Sequence, residues 1–100
     1  MQNFRTFDLA VEFYRLARCL MLPRHAKDQL TRAAHSIALN LAEGNGKHTT
    51  KEQRRFFHIA MGSLRECQAV LIIEELQNSA EWKVLDNLGA HLYKLIQNAR

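Results

Sequence analysis

Ser36, Asn40 and Glu43 interrupt an apolar run just ahead of a turn, Gly44-Asn45-Gly46. Beyond the turn, Lys51, Arg54, Arg55, His58 and Arg65 recur at i, i+3, i+4, i+7 and i+14. The first group has residue types suited to catalysis, a metal site, a buried polar network or a subunit contact. The second has the types and helical spacing of an anion-contacting face.

Catalysis needs a nucleophile beside a base and an orienting group. His35 precedes Ser36 and so points about 100° away from it on a helix; nothing in the spacing equips Ser36 or Ser63 as a nucleophile. A di-iron site in a helical bundle needs paired Glu-x-x-His units. The chain has none: Glu12, Glu43, Glu52 and Glu66 are followed three residues on by Arg15, Gly46, Arg55 and Ala69. His25, His35, His48, His58 and His91 form no metal-like pairs, and Cys19 and Cys67 lie too far apart in sequence for a metal motif. The "GNGK" stretch lacks the spacing and preceding strand of a phosphate-binding loop and reads as a turn. The expectation is no enzyme, no metal and no cofactor.

The basic residues carry more. Lys51, Arg54, Arg55, His58 and Arg65 fall on one helix stripe about 100° wide, and Lys47 and His48 sit just before it. Such a stripe is either a solvated face, a surface for an acidic partner protein, or a contact for RNA or DNA phosphates. Phosphate contact is sequence-independent and weakens steeply with salt. Phe56 and Phe57 read as packing residues rather than base-stacking ones.

Four helical segments place these residues. The first runs from about Phe7 to Leu22, with Leu9, Phe13, Leu16, Ala17 and Leu20 inward, Phe7, Tyr14 and Met21 as a second apolar shoulder, and Pro23 as its stop. The second runs from about Lys27 to Glu43, with Leu30, Ala34, Ile37 and Leu41 inward and Gly44 as a left-handed C-cap. The third begins at Thr49 or Thr50, each spaced for a capping box with Glu52 or Gln53, and runs to about Gln77 over Phe57, Ala60, Leu64, Cys67 and Leu71. The fourth, about Ala80 to Asn98, starts at an N-cap Ser79 and turns Leu85, Leu88, Leu92, Leu95, Ile96 and Ala99 inward. The expected fold is all-α: an antiparallel up-down-up-down four-helix bundle, one domain over residues 1–100.

On the second helix Gln29, Ser36, Asn40 and Glu43 lie within about 60° of one another beside the core stripe. On the third, Ser63 and Glu66 share a face with Phe56, Ile59 and Val70. A helix apolar on two faces packs against two neighbours, so an oligomer is expected to bury the second face and its polar groups.

The totals agree. The 100 residues are 47% hydrophobic and 24% charged, with four Gly and one Pro, which suits a few long elements rather than many short strands. The formal charge of +4 permits an acidic or nucleic-acid partner. Two cysteines read as reduced thiols. No uninterrupted apolar segment has the length of a signal peptide or membrane span, and the expected location is cytoplasmic, away from membranes.

The stretches "QLTRAAHSIALNLAEGNGK" and "KEQRRFFHIAMGSLREC" resemble the four-helix-bundle family of 23S rRNA intervening-sequence proteins. The matching positions include Gln29, Leu30, Arg32, Ser36, Ile37, Asn40, Glu43 and Gly44, then Lys51, Glu52, Phe56, Ala60, Gly62, Ser63 and Glu66. Where the family often has Pro after Ser-Ile, this chain has Ala38. The resemblance implies a small bacterial protein assembling as a homopentamer, and adds Arg32 to the polar packing and interface set. The similar accessory proteins of diversity-generating retroelements form basic pentameric barrels that bind nucleic acid and a reverse transcriptase. That likeness makes RNA or DNA, and a reverse transcriptase or another protein, the expected partners, while the biochemical role stays open.

Overall fold

The computed structural model describes residues 4–99, which contain four helices and no strand. They are α1 (Arg5–Arg18), α2 (Arg24–Asn45), α3 (Thr50–Ile73) and α4 (Ala80–Asn98). Helix α1 packs on α2 and α4, and α3 packs on the same two helices; the backbones of α1 and α3, and those of α2 and α4, do not closely approach each other. The most extensive contact is α2 with α3.

The inward stripes are the expected ones. Leu30, Ala34, Ile37 and Leu41 of α2, and Phe57, Ala60, Leu64, Cys67 and Leu71 of α3, are all buried. So are Leu9, Phe13 and Ala17 of α1 and Leu85, Leu88 and Leu92 of α4. Leu16, Leu20, Leu95, Ile96 and Ala99 reach only half-burial, because they lie at the margins of the stripes or near chain ends.

Two helix starts are capped as their sequences demand. The Thr49 hydroxyl accepts the Glu52 amide at 3.2 Å, and the Ser79 hydroxyl accepts the Trp82 amide at 3.1 Å. Only half of the capping box forms: Glu52 Oε1 accepts from the Thr49 hydroxyl at 3.3 Å instead of from its amide. Gln53 does not pair with Thr50; its amide donates to the Lys47 carbonyl at 3.4 Å and ties the turn to the helix.

Four local expectations need correction. Helix α1 stops at Arg18, not Leu22, and Pro23 is instead the N-cap of α2, its carbonyl accepting the Lys27 amide at 2.9 Å. Proline's fixed φ suits a helix entrance, where a missing amide costs nothing. Met21 is therefore in the connecting turn and 94% exposed rather than on an apolar shoulder. Gly44 lies inside α2, which ends at a Gly46 C-cap with φ −85°, and among the described residues no glycine has positive φ. What Gly44 provides is space: a Cβ there would stand 2.5 Å from Phe57 Cε1 and 3.2 Å from Phe56 Cβ.

Helix α3 ends at Ile73 rather than near Gln77. Glu75 takes φ 61°, its amide donates to Ile72 O at 3.0 Å, and the Leu76 amide donates to Leu71 O at 2.7 Å. That is a Schellman termination with glutamate where glycine is usual. Helix α3 also has the length and apolar content to cross a membrane, against expectation, because it is apolar well beyond its core stripe.

Two substitutions test this account by urea unfolding. Gly44→Ala is expected to destabilise the fold by about 1–2 kcal/mol, because overpacking against the buried Phe57 ring outweighs the gain in helix propensity. Glu75→Gly is expected to stabilise it by about 1 kcal/mol by relieving the left-handed backbone.

Candidate nucleic-acid interface

Helix α3 turns its core stripe inward and thereby aims Lys51, Arg55, His58 and Arg65 outward, on the opposite side of the helix; all are exposed. The single ion pair among the described residues is Lys47 Nζ with Glu43 Oε2, at 3.9 Å. The outward cations of α3 thus have no ion-pair partner among the described residues.

Arg54 and Arg55 of the stripe, and Lys47 just ahead of it, have structural work as well. Arg54 Nε donates to Ile96 O at 3.3 Å and Nη2 to Ala99 O at 3.5 Å. These carbonyls end α4, where a cation also complements the helix dipole. Lys47 stands 5.2 Å from the centroid of the Phe56 ring, and Arg55 stands 5.0 Å from it. Phe56 holds both cations by cation–π attraction, which places them on the edge of the stripe nearest α2.

The polar set divides. Ser36 Oγ accepts from Ser63 Oγ at 2.9 Å and from Asn40 Nδ2 at 3.1 Å; Asn40 Nδ2 also donates to Ser36 O at 2.9 Å. This half-buried trio joins α2 to α3. Gln29, Arg32 and Glu66 are exposed and stay outside it, and Glu43 turns to Lys47. The longer side chains at the rim are exposed, whereas short Ser and Asn meet at the half-buried seam. Among the described residues no buried side-chain polar atom lacks a partner.

Cys67 Sγ lies 3.9 Å from Leu30 O in the same seam. Burial, aided by the Glu66 charge, pushes its thiol up to about 12, so it stays protonated at neutral pH. Among the described residues no three His, Cys, Asp or Glu side chains cluster as a metal site.

Spacing alone missed an apolar groove of about 250 Å³ between α1 and α2, walled by Phe7, Val11, Tyr14, Ala38, Leu39 and Ala42. The Tyr14 ring meets His35 edge-on at 5.5 Å, and Arg18 lies over it at 5.6 Å. The apolar shoulder formed by Phe7 and Tyr14 was its signal in the sequence.

Fold and site define a small four-helix protein with a short-side-chain seam and one basic outer face. The family model described as 23S rRNA-intervening sequence protein matches residues 4–98, and the chain belongs to that family. No curated protein and no solved structure matches the chain.

Arg54→Ala is expected to loosen the end of α4 by about 0.5–1 kcal/mol. Faster hydrogen exchange confined to the last turn of α4 is the measurement that checks it.

Proposed function

We propose that this chain is a non-enzymatic, homo-oligomeric, cytoplasmic protein that binds RNA or DNA through the outer face of α3. The observation that carries this reading is the exposed set of Lys51, Arg55, His58 and Arg65, which has no ion-pair partner among the described residues. Lys47 and the Arg54 guanidinium add charge at the same end. From Lys51 to Arg65 the face runs about 21 Å, enough to follow several phosphates along one strand of a duplex.

An antiparallel up-down-up-down bundle is the arrangement that fits the contacts. Gly44 lies by Phe57, Ser36 by Ser63 and Leu30 by Cys67, so the end of α2 meets the start of α3. Arg54, at the start of α3, reaches Ile96 and Ala99 at the end of α4.

Three or four phosphate contacts per chain give modest affinity. Repetition around a symmetry axis multiplies it through effective concentration, which is why the homo-oligomer, read as a pentamer from the family resemblance, belongs to the proposal. A reverse transcriptase or other protein remains a partner on the same resemblance. No membrane is assigned to α3, because its inward face already packs in the core.

A second reading, an acidic partner protein on this face, is favoured by one observation: exposed Ile59 lies among the cations, and apolar groups suit a protein contact better than phosphates.

Fluorescence anisotropy with short RNA and DNA separates the two. Binding is expected at low salt, with log Kd rising by about 3 per tenfold salt for each engaged subunit. Lys51→Glu/Arg55→Glu is expected to abolish it; unchanged binding by that variant, or none by the wild type at low salt, leaves the acidic-protein reading.

A further inference from the structure

We propose that the groove between α3 and α4 takes one unpaired guanine base of a bound single strand, stacked on Tyr93, while the cations of α3 hold the neighbouring phosphates. The inference rests on the nucleic-acid reading and deepens it by naming the form of nucleic acid and the base.

The groove has a volume of about 300 Å³ and adjoins the basic stripe, because Arg65 belongs to both. Tyr93 of α4 stands in its wall and is 58% exposed. The Gln97 amide donates to the Tyr93 hydroxyl at 3.0 Å and so ties down the outer end of the ring. An aromatic ring beside a cationic track suits a single strand: the base stacks on the ring while its phosphates stay on the cations. The floor between Asp86 and Tyr93 is made of small residues, Gly89 and Ala90. A Cβ on Gly89 would meet Leu64 at 3.6 Å, an ordinary contact, so the core does not call for glycine there. Glycine in mid-helix is unfavourable against alanine; what its missing side chain provides is depth in the groove.

Asp86 selects the base. Arg65 and Asp86 line the same groove, yet neither forms an ion pair among the described residues. The guanidinium is therefore open to a phosphate and the carboxylate to a base edge. A carboxylate only accepts, and its two oxygens suit two adjacent N–H donors. Guanine alone among the common bases presents that pair, at N1 and N2, with the O6 acceptor next to them for the amide of Gln68, which also lines the groove. In a duplex this edge is taken up by base pairing, so the base must be unpaired.

Fluorescence anisotropy on the full chain at low salt tests this with a short adenine RNA strand and the same strand carrying one central guanine. The guanine strand is expected to bind about tenfold tighter. Tyr93→Ala, at an exposed position, is expected to weaken it by about 5- to 100-fold while the helical circular dichroism is kept. Asp86→Asn decides by sign. It removes a negative charge beside the phosphates, so charge alone tightens both strands, whereas the base contact predicts several-fold weaker binding of the guanine strand only. Equal binding of the two strands by the wild type, or an Asp86→Asn variant that binds both more tightly, overturns the base groove and leaves the phosphate reading standing. A wild type that binds neither strand overturns the nucleic-acid reading itself, and this inference with it.

Discussion

The seam between α2 and α3 is the constraint on which the rest of the structure hangs. At one end the absent side chain of Gly44 admits the Phe57 ring; in the middle Ser36 and Ser63 meet at 2.9 Å; further along, Cys67 reaches the Leu30 carbonyl. All three contacts need short groups, because only those let two long helices run close together without leaving polar atoms unpaired. With α2 and α3 locked in this register, α1 and α4 close the core on the remaining sides. The seam also orients α3: once Phe57, Ala60, Leu64, Cys67 and Leu71 face inward, the cations have only one direction left.

That outer face is divided along its length. Its first half is basic, with Lys51, Arg55 and His58, and its second half mixes the exposed charges of Arg65 and Glu66 with Gly62, Ala69 and Ile73. Within the basic half the cations are not equivalent. Arg54 is engaged by the last carbonyls of α4, and Lys47 shares Glu43 and the Phe56 ring, whereas Lys51 and His58 have no such ties among the described residues.

The polar trio of Ser36, Asn40 and Ser63 has residue types that occur in active sites, yet its geometry is that of a joint. The Ser63 hydroxyl and the Asn40 amide both donate to Ser36, and the adjacent Cys67 thiol is held protonated by burial. Membership in the 23S rRNA-intervening sequence family accords with the four-helix fold, and the proposed role rests on the outer face of α3 rather than on the trio.

Local spacing determined a great deal by itself. The 3.6-residue repeat identified four helices and most of their inward residues, and short-range chemistry identified the caps at Thr49 and Ser79, because each of those effects acts within one or two helix turns. Where an element's behaviour depended on a distant neighbour, spacing was silent or misleading. Gly44 has the type and place of a left-handed cap, but its role is set by Phe57. Arg54 matches the basic stripe, but carbonyls more than 40 residues away engage it. Glu75 gives no hint of a positive φ, which the Schellman turn imposes. Composition and periodicity report which side of each helix avoids water; only the packed structure decides which neighbour approaches that side, how closely, and which charges remain on the outside.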